Sequence, residues 1–292
     1  MARDQMRIVD AHHHVWDLAL RDQPWIGESM KPIRRSFDLA DFAQAARPCG
    51  VVGSVLVQCL ADVAETHELL RAADCNRLVA GVVGYADLRA DDAGEHLDAL
   101  RERVGGRMLV GVRHAVETEP DPDWLRRPVV VAGLREVARR GLVYDLLIRP
   151  DQVDAAITAA RAVPEGRFVL DHLGKPPIAA HSHEPWASQL ASLARCPNVV
   201  AKISGLLTEA DWSRWIAADV QPYVCSALDI FGPNRLMFGS DWPVCLVAAD
   251  YRHQLETIEL LTAELSSAEK VAIFHDNAIA TYQLTIKEHT DA

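Results

Sequence analysis

Arg7-Ile8-Val9-Asp10-Ala11-His12-His13-His14 is the first of eight short apolar runs that recur through the chain. The other seven are Val51–Cys59, Leu78–Tyr85, Leu109–Val116, Leu142–Ile148, Phe168–Leu173, Val199–Leu206 and Leu236–Ser240. Most are near-continuously apolar, the pattern of parallel strands buried on both faces. Helical patterns lie between them, over Leu39–Arg47, Val63–Asn76, Ala93–Val104, Pro128–Arg140, Val153–Val163, Pro185–Arg195, Trp215–Phe231 and Tyr251–Glu264. An amphipathic segment, Ser267–Thr281, follows the eighth pair. Eight alternating strand–helix units in 292 residues predict a single-domain α/β protein, a TIM-like (β/α)8 barrel over 1–292 with its core at 7–282. A doubly wound open sheet competes poorly. It has no use for eight evenly spaced strands, and no GxGxxG follows the first one. The charged stretch Trp25–Phe37 reads as a long loop able to cover part of the barrel mouth.

Composition narrows the function. The chain is 49% hydrophobic and 24% charged, ample for a large core. A formal net charge of −11 argues against a nucleic-acid partner, since nothing basic and extended is present to meet phosphates. No apolar run is long enough to cross a bilayer, and no signal-peptide core precedes the first strand. The six cysteines (Cys49, Cys59, Cys75, Cys196, Cys225, Cys245) lack CxxC spacing, which suits reduced thiols. A cytoplasmic location without membrane contact is expected, and a homodimer is admitted without being fixed.

The first run also carries chemistry. Residues i and i+2 of a strand share a face, roughly 6.6–7 Å apart, so His12 and His14 can aim two imidazoles at one point while His13 faces away. In a barrel the active site gathers at the carboxyl ends of the strands. Strand four ends in Val112-Arg113-His114, strand six in Leu170-Asp171-His172-Leu173-Gly174-Lys175, and strand eight in Gly239-Ser240-Asp241-Trp242-Pro243. His12, His14, His172 and Asp241 can therefore meet at one mouth. That set suits a zinc-like divalent ion held by nitrogen and oxygen, with positions open for water and substrate. Singly, each has a plainer reading: a buried histidine is usually a satisfied structural residue, and a strand-end aspartate is often a helix cap. The conjunction carries the weight.

Val-Asp-Ala-His-His-His at 9–14, Leu-Asp-His-Leu-Gly-Lys-Pro at 170–176, Lys-Ile-Ser-Gly-Leu at 202–206 and Phe-Gly-Ser-Asp-Trp-Pro at 238–243 resemble the amidohydrolase superfamily. They are closest in pattern to its "amidohydrolase 2" branch. With Gln23-Pro24-Trp25-Ile26-Gly27, Gly111-Val112-Arg113-His114 and Thr208-Glu209-Ala210-Asp211-Trp212, the chain is similar to sugar-acid lactonases of the L-fucono- and L-rhamnono-lactonase type over residues 8–282. This resemblance implies hydrolysis of a small sugar lactone (L-fucono-, L-galactono- or L-rhamnono-lactone) to the open aldonic acid. It makes Asp241 the base that activates water, and His12, His14 and Asp241 the ligands of one divalent ion, with zinc first among candidates. His172 would be a further ligand or a polarising donor. Strand four offers neither lysine nor glutamate for a second ion, and some lactonases of this branch work without tightly bound metal, so the ion's necessity stays open.

A sugar lactone is a neutral polyol ring, and sites for such rings pair hydrogen-bonding groups with aromatic faces. Trp25 and Trp242 are the candidate aromatic surfaces. Arg113, His114, Tyr144 and Lys175 are candidates for hydroxyls or the carbonyl. Lys202 reads equally well as a buried partner of Asp10. A dicarboxylate lactone would want arginines at the mouth, and Arg34, Arg35 and Arg149 lack strand-end placement. The rivals to a neutral-lactone hydrolase are a dicarboxylate lactone hydrolase, a metal-dependent decarboxylase on the same scaffold, and a non-catalytic binding barrel.

Overall fold

The computed structural model describes residues 6–287. Eight parallel strands form one sheet in sequential order: β1 (Ile8–His13), β2 (Val51–Val57), β3 (Val79–Gly84), β4 (Leu109–His114), β5 (Val143–Leu146), β6 (Arg167–Leu170), β7 (Val199–Ile203) and β8 (Leu236–Phe238). The helices between them are α1 (Leu39–Ala46), α2 (Val63–Asp74), α3 (Ala93–Glu102), α4 (Pro128–Arg139), α5 (Val153–Ala162), α6 (Trp186–Ala194), α7 (Ala217–Phe231) and α8 (Tyr251–Leu261). This is the (β/α)8 barrel expected from the sequence. Side-chain carboxylates cap α1 (Asp38), α2 (Asp62) and α8 (Asp250) by accepting backbone N–H groups of the first turn. No helix of the described residues is long and apolar enough to cross a membrane.

Two apolar layers hold the barrel. The inner one is built mostly of valine, with Val9, Val55, Val83, Val143 and Val169 beside Met237. Tyr282 and Leu284 belong to the same cluster, from the C-terminal segment that closes the barrel floor. That segment approaches the strands closely: a Cβ on Gly53 would fall 2.5 Å from Ile286. The outer layer packs the other strand faces, such as Leu56, Tyr144 and Phe238, against the helices.

The barrel closes between β1 and the residues just past β8. Asp241 N donates to His12 O at 2.8 Å and His14 N to Trp242 O at 2.7 Å, while His13 bridges Trp242 in parallel. A register shift between Asp10 and His13 marks a bulge on the β1 side. Such an irregularity re-aims side chains. Asp10 holds it: its Oδ1 accepts His12 N at 3.1 Å and Ser240 N at 2.9 Å, and its Oδ2 accepts the Tyr251 hydroxyl at 2.9 Å. Asp10 is thus occupied at the seam and is not the partner of Lys202.

Most strands end sooner than their apolar runs. The run Phe168–Leu173 stops pairing at Leu170 because His172 to Lys175 all take positive φ, between 50° and 71°. The segment Ser267–Thr281 is also divided, into α9 (Ser267–Val271), a π-helical turn over Ala272–Asp276, and α10 (Asn277–Tyr282).

Asp10→Ala strips acceptors from two buried N–H groups and a buried hydroxyl, so it is expected to lower unfolding free energy by about 3 kcal/mol or more. Urea unfolding followed by circular dichroism measures this. An unchanged midpoint would show that the seam closes without Asp10.

Candidate active site

The seam sets the site's geometry. His12 Nε2 lies 3.1 Å from His14 Nε2, and Asp241 Oδ1 lies 3.3 Å from the latter and 3.7 Å from the former. His13 turns the other way, stacked on Phe42 with ring centroids 3.7 Å apart and bonded to Ser54 Oγ at 3.0 Å. His14 Nδ1 sits 2.8 Å from Val57 O. A carbonyl only accepts, so His14 carries its proton on Nδ1 and turns a lone pair on Nε2 toward the cluster. His12 Nδ1 lies 3.3 Å from Asp171 Oδ1 and 3.1 Å from Lys202 Nζ, contacts that hold the ring with Nε2 turned toward the cluster.

His172 approaches from the sixth strand, its ring centroid 4.6 Å from that of His12 and its Nδ1 2.9 Å from Ser204 Oγ. Two groups, His12/His14/Asp241 and His12/Asp171/His172, each bring their ligand atoms within 4.8 Å of one another. Imidazole nitrogens and carboxylate oxygens of this kind fit a divalent ion with positions left open. Burial holds the His172 imidazole below its usual pKa, favouring the neutral ring. Burial works against charge on Asp241 as well; positive charge on His172, a bond from His14 and the Arg113 guanidinium oppose it, and hold the carboxyl below its ordinary range when the imidazoles are protonated.

Behind the cluster lies a buried charge network. Lys202 Nζ donates to Asp145 Oδ2 at 2.6 Å, lies 3.0 Å from Asp171 Oδ1, and approaches His12 Nδ1 at 3.1 Å. Tyr282 OH bonds Asp145 from the barrel floor at 2.8 Å. Arg113 Nη1 donates to Asp171 Oδ2 at 2.9 Å, and its Nη2 to Gln58 O. Asp145, Asp171 and Lys202 were not predicted as a unit. A charge inside an apolar strand run was the available signal, since a buried charge demands a partner.

A cavity of about 440 Å³ opens above the cluster. This lies within the roughly 300–1,000 Å³ usual for small-molecule sites. His14, Arg113, His172, Lys175 and Asp241 line it, as do Trp25 from the first loop and Trp212. Glu117, Glu209 and Cys59 also reach it. A larger cavity of about 550 Å³, between Leu20, Phe37 and Glu68, contains none of the clustered histidines.

Three of the predicted substrate-binding residues stay out of the site cavity. Tyr144 points from β5 into the outer layer, edge-on to Phe168, because its neighbours Val143 and Asp145 take the inner face. His114 follows inward-facing Arg113, so it faces outward, stacked on Trp124 at 4.5 Å and bonded to Glu119 Oε1 at 2.7 Å. Trp242 is buried against Phe37 and Phe42. Arg34, Arg35 and Arg149 do not line the cavity either. Trp212, Glu117 and Glu209 are additions from loops whose sequence carries no periodicity to place them.

Residues 9–284 match the amidohydrolase family, and the chain belongs to it. It is 36% identical over 243 residues to an L-fucono-1,5-lactonase of Burkholderia ambifaria, covering 83% of this chain and 82% of that protein. It is 35% identical over 288 residues to an L-fucono-1,5-lactonase of Burkholderia multivorans, covering 94% and 96%. A crystal structure of an amidohydrolase from Burkholderia multivorans with bound zinc superposes with a TM-score of 0.89 at 34% identity, covering 96% of this chain and 100% of that one.

Gly205 tests the packing of the cluster. A Cβ there would lie 2.6 Å from His172 Nδ1 and 3.1 Å from Asp241 Oδ2, on a backbone with φ +63°. Gly205→Ala is expected to weaken retention of an added divalent ion about tenfold, and His14→Ala about a hundredfold, in equilibrium dialysis against a chelator. Retention unchanged in both variants would move the ion away from this cluster.

Proposed function

We propose that the protein hydrolyses a neutral sugar-acid lactone of the L-fucono-lactone type to the open aldonic acid, in the cytoplasm. What carries the reading is one coincidence. An ionised carboxylate, Asp241, stands 3.3 Å from His14 Nε2 and lines a cavity walled by Trp25 and Trp212. The two Burkholderia lactonases, at 35% and 36% identity, support the choice of substrate class. All six cysteines are free, which suits a reducing compartment.

In this reading Asp241 takes a proton from water as the oxygen adds to the lactone carbonyl. The carbonyl oxygen gains negative charge, which the His172 imidazole is placed to offset, with Arg113, bonded into the wall to Asp171 and Gln58, contributing only its field. Collapse breaks the bond to the ring oxygen, and Asp241 returns the proton there, giving the hydroxy acid. The carboxylic acid then ionises and releases a proton to solvent. His12, His14 and Asp241 would hold one divalent ion, with His172 beside them. Zinc is the favoured metal because a similar structure contains it. When bound, it supplies Lewis acidity that acidifies water and polarises an ester carbonyl. Trp25 and Trp212 present flat faces to the sugar ring.

Acid release from a panel of aldonolactones (L-fucono, L-galactono, L-rhamnono, D-arabinono), followed with a pH indicator, tests the reading. Wild type is expected to turn over at least one of them. Asp241→Asn should reduce kcat by about a thousandfold or more while the circular dichroism spectrum is unchanged. Chelator treatment should lower the rate, and added zinc should restore it. No acid release from any lactone, with carbon dioxide released from an aromatic acid instead, would transfer the site to decarboxylation.

A further inference from the structure

Glu209 ends the short 3-10 turn Leu206–Glu209 that follows β7 and lines the site cavity beside Thr208 and Trp212. Its carboxylate makes no hydrogen bond or ion pair with any other described residue. The cation nearest in role, Lys175, is ion-paired with Glu117. The other cation of the cavity, Arg113, is committed to Asp171 and the Gln58 carbonyl behind the wall. The cavity therefore presents two carboxylates without a salt-bridge cation of their own, Glu209 and Asp241, and no cation among the described lining residues that lacks a partner. Burial pushes the Glu209 carboxyl above its usual pKa, opposed by Lys175 and reinforced by Glu117 and Asp241.

We propose that Glu209 is a specificity-determining residue. It accepts hydrogen bonds from hydroxyls of a neutral polyol ring held against Trp212, and it turns away rings that carry a carboxylate. This rests on the lactonase reading and deepens it. A carboxylate oxygen has lone pairs for two hydroxyl donors, and such charge-assisted bonds exceed neutral ones. A ring carboxylate in the same place would meet two like charges and no free cation, a repulsive element against the wrong ligand. Glu209 is assigned to binding the distant part of the ring, and Asp241 to the reacting carbonyl. The two should separate kinetically as KM against kcat.

The test uses two hydroxylated lactams, in which a ring amide replaces the ester. One is neutral and one carries a ring carboxylate; both are titrated by calorimetry into wild type, Glu209→Gln and Glu209→Ala. Wild type should prefer the neutral lactam. Glu209→Gln should weaken neutral-lactam binding about tenfold and reduce the preference over the acidic lactam about tenfold, with Glu209→Ala at least as affected. With lactone substrate, KM should rise while kcat changes by less than about threefold. Asp241→Asn should retain neutral-lactam binding while losing turnover, which separates the two roles. If both Glu209 variants bind the two lactams with wild-type affinity and preference, this inference is overturned and the lactonase reading stands. If wild type binds neither lactam and hydrolyses no lactone, both fall. Near-ultraviolet circular dichroism confirms that the variants are folded.

Discussion

The seam between β1 and the end of β8 is the constraint on which the site depends. Seven strand pairings are parallel ladders, but the eighth is made by a few backbone bonds, among them Asp241 N to His12 O and His14 N to Trp242 O. These fix residues 12, 14 and 241 relative to one another before any side-chain interaction is considered. Two imidazoles and a carboxylate then meet because their own backbones are hydrogen-bonded together. The bulge at β1 makes this possible. Alternation continued unbroken from inward-facing Val9 and Ala11 would turn His13 to the lumen; the shift between Asp10 and His13 reverses that parity, so His12 and His14 face the lumen while His13 packs on Phe42. Closing the fold and assembling the cluster are one event.

The charge network beneath serves the same end. Lys202, Asp145 and Asp171 are fully or almost fully buried, and Arg113 nearly so. Burying such charges is costly unless each finds partners, and removing one member leaves another uncompensated. The arrangement gives Asp171 three neighbours at once, Lys202, Arg113 and His12. Its orientation is thereby over-determined, and through it that of the His12 ring. Tyr282 anchors Asp145 from the floor, tying the C-terminal segment to the network. A barrel stabilised by hydrophobic contact alone would tolerate small rotations of His12; this network does not.

The same physics separates what the sequence reveals from what it hides. Apolar runs alternating with helical periodicity specify the barrel because burial on both faces leaves few other patterns. His12, His14, His172 and Asp241 were legible because strand ends in a barrel converge by topology. Tyr144, His114 and Trp242 misled because strand-end position names a neighbourhood without naming a face, and one residue of register reverses the direction of a side chain. Lys202 reads from sequence only as an even candidate for a buried partner of Asp10, since the bulge that occupies Asp10 leaves no mark in the residue pattern. Trp212, Glu117 and Glu209 come from irregular loops, where no period places a side chain.

Backbone strain completes the picture. His172, Leu173 and Lys175 adopt positive φ, as does Asp241, all of them non-glycine residues. Each such conformation costs on the order of 1–3 kcal/mol and persists only where its surroundings enforce it. Here they do: Trp186 Nε1 donates to Leu173 O at 2.8 Å, and Asp241 N is held by the His12 carbonyl. The left-handed run brings His172 and Lys175 to one cavity from within four residues, where the alternating faces of a strand would send them opposite ways. The strained turn and the seam therefore act together. The seam fixes one side of the cluster, the turn delivers the other, and Gly205 passes between them because a side chain would not fit.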